Sequence, residues 1–258
     1  MEPFFPLHAL VCGNCYLVQL QEFETAEKIF SDYAYFSSYS DSWVNHARHY
    51  VDSVIDRFGI DGDSHVIEIA SNDGYLLQFF KRAEVPCLGI EPAANIAKVA
   101  VANFDIETIV DFFGVPLARK LAEEGRQADL LLGNNVLAHV PNLNDFVQGL
   151  KIALKPTGII TLEFPHLLQL MKFNQFDTIY HEHFSYFSLF SLEKVLSAVG
   201  LRVFDVEELP THGGSLRIFA THDENQLFEE NPRITALRKA EEDAELNHLR
   251  GYHAFSEQ

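Results

Sequence analysis

Within seven residues, Tyr180-His181-Glu182-His183-Phe184-Ser185-Tyr186 sets two imidazoles, a carboxylate and two phenols side by side. Taking a proton from carbon calls for a base that titrates near neutrality, and an imidazole whose tautomer is set by a neighbouring carboxylate or phenol is such a base. The same residues suit a hydrogen-bonded aromatic turn at the surface, and the heptapeptide alone leaves both readings open. His181 and His183 resemble two metal ligands, but a zincin needs H-E-x-x-H on a helix and position 185 is Ser. His139 stands between an apolar strand and a helix, where it either meets a substrate or simply caps and packs. Cys12-Gly13-Asn14-Cys15 is half of a tetrahedral zinc donor set, to which His8 adds little. Gly213-Gly214 is either a tight turn or a place where backbone comes close to a ligand.

Such groups need a scaffold, and 258 residues with 47% hydrophobic and 22% charged content can bury one α/β core with small appendages. No apolar run approaches the ~18 residues of a membrane span, and the N-terminus lacks a secretion signal, so a cytoplasmic protein is expected. The net charge of -18 argues against nucleic acid as partner, because binding its backbone needs clustered Lys and Arg. Three cysteines cannot all pair with one another.

Residues 1–40 read as an irregular, aromatic-rich appendage. From Asp41, which can cap it, a helix runs to Gly59, with Val44, Ala47, Val51, Val54, Ile55 and Phe58 at helical spacing. Strands are expected at 65–70, 87–91, 106–110, 129–133 and 158–164, alternating with helices at 75–82, 95–103, 115–125 and 143–154. A helix at 191–199 then leads to strands near 201–208 and 214–221. Strand-helix alternation of this kind implies a doubly wound, Rossmann-like, mostly parallel sheet covered on both faces. After residue 223 the composition turns to Glu, Arg, Lys, Ala and Leu, and the tail is expected to be helical.

In a doubly wound sheet the ligand lies over the carboxyl ends of the strands. Glu68-Ile69-Ala70-Ser71-Asn72-Asp73-Gly74 follows the first of these strands, with Ala70, Asn72 and Gly74 at alternate positions. That spacing is not G-x-G-x-x-G, so a pyrophosphate is not indicated, and a cationic cofactor without phosphate is the alternative. Glu91 ends the second strand, where a carboxylate can accept both hydroxyls of a ribose. Asp111-Phe112-Phe113 follows the third and could hold an adenine by a hydrogen bond and a covering ring. Singly, Glu91 could be a helix-start carboxylate, Phe112 core and Asn72 a turn former; together they describe an adenosine.

This set resembles the class I S-adenosylmethionine-dependent methyltransferases. More closely, Asp32-Tyr33-Ala34-Tyr35-Phe36-Ser37-Ser38-Tyr39-Ser40, Ile67 to Gly74, Gly89-Ile90-Glu91-Pro92, Asn134-Asn135-Val136-Leu137-Ala138-His139-Val140-Pro141, Tyr180 to Phe184 and Leu209-Pro210-Thr211-His212-Gly213-Gly214-Ser215-Leu216-Arg217 resemble the sugar C-methyltransferases over nearly the whole chain. The resemblance implies methyl transfer to a carbon beside the ketone of a nucleotide-linked (dTDP-type) 4-keto-deoxysugar. His183 is then the general base, Glu182 and Tyr180 position base and sugar, His139 touches the ketone or its hydroxyl, and Tyr33 approaches from the N-terminal segment. Glu68, Ala70, Asn72, Gly74, Glu91, Asp111, Phe112 and Asn134 are the implied cofactor contacts. Two other readings stay open: a domain that binds S-adenosylmethionine without turnover, and, from fold alone, a nicotinamide-dependent sugar oxidoreductase.

By the same resemblance, residues 1–40 are the remnant of an N-terminal zinc-binding domain with a substrate-side segment, 41–222 the methyltransferase domain, and 223–258 the helical start of a further domain. On this expectation the chain is truncated at both ends, and zinc at Cys12 and Cys15 depends on ligands upstream.

Overall fold

The computed structural model describes residues 4–31 and 33–256. Met1, Glu2, Pro3, Asp32, Glu257 and Gln258, which the sequence reading used at the ends and in one motif, lie outside the described residues. In chain order the elements begin with β1 (Ala9–Val11), β2 (Val18–Leu20), α1 (Ala26–Phe30), α2 (Asp41–Phe58), β3 (Val66–Ile69), α3 (Leu77–Arg82) and β4 (Cys87–Ile90). There follow α4 (Ala94–Phe104), β5 (Thr108–Ile109), α5 (Val115–Glu123), β6 (Ala128–Asn134), α6 (Leu143–Ala153) and β7 (Leu154–Pro165). The chain continues through α7 (Leu167–Phe173), β8 (Ser185–Tyr186), α8 (Leu189–Ser197), β9 (Leu201–Leu209), β10 (Ser215–His222), α9 (Pro232–Asp243) and α10 (Leu249–Ser256).

These elements form two compact units interleaved in sequence. The first comprises residues 26–134 and 148–161; the second comprises the described residues of 1–25, 135–147 and 162–258. In the first unit the strand order is β5-β4-β3-β6-β7, with β3 parallel to both β4 and β6 and β4 parallel to β5. All four residues of β3 are buried, as a strand covered on both faces requires, and Glu68 is the one charge among them. Ile67, Leu88, Ile90, Leu130 and Leu132 of the strands are buried, as are the helix residues Leu77, Phe80, Ile96 and Leu121. Helix α2 starts from Ser40, whose Oγ accepts from the Trp43 N–H, and not from Asp41, which already occupies the first turn; Gly59 closes it at φ 64°.

The second unit takes up the end of β7, with strand order β7-β10-β9, and β9 and β10 form an antiparallel hairpin. Residues 9–20, expected to be irregular, form the hairpin β1-β2, and β2 pairs in turn with β8. Three-residue strands are too short for alternation to show in a sequence. Helix α7 was also not foreseen; it packs Leu167 and Leu170 against Val18, Leu20, Tyr186, Leu246 and Tyr252. Ser188 starts α8 two residues ahead of expectation through a reciprocal hydrogen-bonded cap with Ser191. Among the described residues, no helix is long and apolar enough to cross a membrane.

Candidate active site

At the carboxyl ends of β3 and β4, in the first unit, carboxylates are crowded with few partners. The Glu91 Oε2 accepts from the Asn72 N–H (3.0 Å) and its Oε1 from the Ala93 N–H (2.9 Å). Burial raises the Glu68 carboxyl well above its ordinary range, and the charges of Glu91 and Asp73 push the same way. Burial likewise raises Glu91, although the Ala93 and Asn72 amides oppose it. The Glu68 Oε2, Asp73 Oδ1, Ser71 Oγ and both amide atoms of Asn134 are buried without a hydrogen-bond partner. Buried polar atoms are normally satisfied, so such a cluster, rich in acceptors and in carboxyls whose ionisation wants a counter-charge, fits a ligand that brings hydrogen-bond donors and positive charge.

The loop that presents these groups is held in an uncommon shape. Ala70, Asn72 and Gly74 all have left-handed backbones, at φ 54°, 48° and 80°. At Gly74 a Cβ would come within 2.8 Å of Ile106, so this glycine serves the packing of the turn on α4 and the link that follows it. The segment 33–39 is tied down on the same loop: Ser37 N–H donates to Asn72 Oδ1 (2.9 Å), Ser38 N–H to Asp73 Oδ2 (3.2 Å), and Asn72 Nδ2 to the Tyr35 carbonyl (3.1 Å). Tyr33 lies in this strap, its carbonyl accepting from Asn95 Nδ2 and its ring edge-on to Phe30 and Tyr35. Asp111 is exposed and accepts from the N–H of half-buried Phe112.

In the second unit His139, Tyr180, Glu182 and His183 come together. The His183 Nδ1 is 2.8 Å from the Thr178 carbonyl and the His139 Nδ1 is 2.9 Å from the Glu182 carbonyl. A carbonyl oxygen only accepts, so both Nδ1 atoms carry the proton and both Nε2 atoms carry the lone pair. The rings meet edge to face with centroids 4.6 Å apart. Tyr180 Oη lies 2.9 Å from His183 Nε2 and therefore donates to it. Burial, and then the charge of His183, lower His139 to about 4; burial, opposed by the Thr178 carbonyl, lowers His183, and the charge of His212 adds to the lowering. Both imidazoles are thus neutral near pH 7. Two short backbone bonds set the cluster: His183 N–H to the Tyr180 carbonyl and Phe184 N–H to the Ala138 carbonyl. His181 turns away, packing against Phe5 and Phe23.

Near the N-terminus, amides of Cys15 and Asn14 and the Cys15 thiol hold Cys12 below its usual range, while burial pushes Cys15 up. Among the described residues no three His, Cys, Asp or Glu gather as a metal site. Two thiols are half of what a structural zinc takes, so these residues alone do not fit that ion.

Several participants were quoted in sequence motifs without a role: Asp73, Thr211, His212 and Arg217. Glu163, buried in β7, accepts from Arg217 Nη2 (2.6 Å) and from Thr211 Oγ1 (3.0 Å). A carboxylate inside the apolar run Ile159 to Phe164 was the signal that could have found this pair.

Residues 43–206 match the family described as methyltransferase domain, residues 210–258 the C-methyltransferase C-terminal domain, and residues 1–30 a proposed zinc binding domain. The C-methyltransferase NovU of Streptomyces niveus is 38% identical over 219 residues, covering 85% of this chain and 52% of that protein. The chain thus spans about half the length of the curated relative it matches. Among solved structures, the PH0226 protein from Pyrococcus horikoshii OT3 has a similar fold (TM-score 0.59, 14% identity, 78% of this chain and 99% of that one). So does the magnesium protoporphyrin IX methyltransferase from Synechocystis PCC 6803 with bound SAH (TM-score 0.53, 18% identity, 74% and 90%).

Proposed function

The chain belongs to the methyltransferase-domain family, and on that premise we propose that it transfers a methyl group from S-adenosylmethionine to a carbon beside the ketone of a nucleotide-linked 4-keto-deoxysugar, in the cytoplasm. The observation that carries this reading is the pair of buried, neutral imidazoles with Nε2 lone pairs, one of them aimed by a phenol. Removing a proton α to a ketone needs such a base. The likeness to a C-methyltransferase points the same way.

Glu68, Asp73, Glu91 and Asn134 would hold S-adenosylmethionine, with Ala70, Asn72 and Gly74 shaping the loop and Asp111 and Phe112 available to the adenine. That group supplies an electrophilic methyl on a positively charged sulfur, whose charge suits the crowded carboxylates. His183 takes the α-proton on Nε2, its ring fixed through Nδ1 by the Thr178 carbonyl. Tyr180 aims the lone pair in the absence of substrate and moves to the sugar when it binds. His139, with a lone pair on Nε2, accepts from a sugar hydroxyl and does not donate to the ketone. Glu182 contributes its carbonyl to His139, and Tyr33 belongs to the strap over the cofactor loop. Zinc at Cys12 and Cys15 requires further ligands.

The test supplies methyl-labelled S-adenosylmethionine and a dTDP-4-keto-deoxysugar to the native chain and to His183→Ala. Transfer is expected to fall roughly 10²–10⁴-fold in the variant, the usual contribution of a general base. Label transfer undiminished by the substitution would remove His183 from the chemistry.

A further inference from the structure

The stretch 180–186 is tied to the N-terminal segment at two places. At its end β8 pairs with β2, Val18 opposite Tyr186 and Gln19 opposite Ser185, and the Leu20 N–H donates to the Phe184 carbonyl at 3.0 Å. Residues 179–183, which bear Tyr180 and His183, lie in neither helix nor strand. A turn without a backbone ladder opens locally at little cost unless side chains hold it.

The side chain of His181 is the second tie. Its Nε2 lies 3.2 Å from the Pro6 carbonyl, and a carbonyl only accepts, so Nε2 carries a proton and donates it to this bond. Phe5 and Phe23 stack on one another with centroids 5.3 Å apart, and the imidazole meets both rings edge-on, at 6.1 and 6.0 Å. The residues on either side of His181 orient the cluster: the Tyr180 hydroxyl donates to His183 Nε2, and the Glu182 carbonyl accepts from His139 Nδ1. Any shift of residue 181 therefore passes directly to the contacts that aim both imidazoles. Misplacing a reacting group by about 1 Å can cost on the order of 10²-fold in rate.

We propose that His181 is a positioning residue: anchored on Phe5, Pro6 and Phe23, it holds the turn so that His183 Nε2 meets the α-hydrogen of the substrate. The N-terminal segment is then part of the frame of the base and not a separate appendage. This rests on the proposed C-methylation and concerns what aims its base. His181 exchanges no proton in the step. As the α C–H bond breaks, its proton goes to His183 Nε2, its electron pair forms the C=C bond, and the carbonyl π pair moves to oxygen.

Enolisation can be read without methyl transfer. A dTDP-4-keto-deoxysugar and S-adenosylhomocysteine, which has no methyl to give, are supplied in D2O, and exchange of the α-hydrogen is followed by NMR above the enzyme-free rate. Thermal unfolding gives the folded fraction of each variant. His181→Ala removes ring and donor, while His181→Gln returns an amide N–H for the Pro6 carbonyl. The maximal rate per folded molecule is expected to fall roughly 10–10²-fold in His181→Ala, with half-saturation by the sugar within about twofold of native, and to recover largely in His181→Gln. A rate per folded molecule unchanged in His181→Ala would overturn the positioning role and leave the C-methylation reading intact. Phe5→Ala takes one ring of the anchor away and is expected to slow the maximal rate in the same sense; it decides the matter where His181→Ala does not fold, an unchanged rate again overturning the role. No exchange by the native chain would overturn the C-methylation reading and this inference with it.

Discussion

His139 and His183 owe their chemistry to where their protons are parked. Donation of Nδ1–H to backbone carbonyls fixes each tautomer, and burial keeps each ring neutral below the usual histidine range. Each ring therefore stays neutral over a wider acid range than a solvated imidazole would, as the proposed role of His183 as base requires. In a kcat/KM profile the acid limb is expected below pH 6.5, and a limb at or above 6.5 would show that His183 does not govern it. Stability follows the same sign. His139 binds protons more readily unfolded, near 6.5, than folded, near 4. Its contribution is complete above about 6.5 and is lost as pH falls toward about 4, on the order of 3 kcal/mol in all. The residue types of the cluster were legible in the sequence because three of its members, Tyr180, Glu182 and His183, lie within four positions of one another. Its hydrogen-bond directions were not, since they come from the carbonyls of Thr178 and Glu182, and carbonyls have no residue-specific signature. The left-handed backbone of His212 (φ 50°) was hidden for a related reason: that strain exists only once Gln175 and Glu163 hold the turn.

At the scale of elements, the alternation of β3 to β7 with α3 to α6 was readable because buried parallel strands are continuous apolar runs and their helices are periodic. Boundaries moved where side-chain caps decided them, as at Ser40 and Ser188. The small β1-β2-β8 sheet was invisible because pairing between distant short segments leaves no local pattern. The loop after β3 shows how element packing reaches the residues proposed to hold the cofactor. Gly89 in β4 is paired with Glu68 in β3, and a Cβ there would lie 2.5 Å from Ser71 Oγ and 3.2 Å from Thr108 Oγ1. Gly89→Ala must push Ser71, and with it the loop carrying Asn72 and Asp73. A destabilisation of about 1–3 kcal/mol is expected in denaturant unfolding, the range for overpacked cores. Unfolding unchanged from native would mean that Ser71 has room to retreat and that the loop is less rigid than its contacts indicate.

Across the whole molecule, the two ends of the chain contribute to one unit. Tyr252 Oη donates to the Tyr16 carbonyl, and their rings stack at 6.4 Å. Glu241 in α9 takes the Leu189 and Phe190 amides at the start of α8, and lies 2.7 Å from His166 Nε2. The helical tail expected from composition is thus part of the support beneath the His166–Gly214 contact, and so of the turn bearing His212. The histidines and the strained turn share this unit, while the acidic loop after β3 belongs to the other. The proposed function asks for a carbon nucleophile and a cationic methyl donor. The most direct test is the bond that the methyl forms. With ¹³C-methyl S-adenosylmethionine and a dTDP-4-keto-deoxysugar uniformly labelled with ¹³C, product NMR is predicted to show one-bond coupling between the transferred methyl and the ring carbon next to the ketone. A transferred methyl with no such coupling, attached to oxygen or nitrogen, would contradict the account.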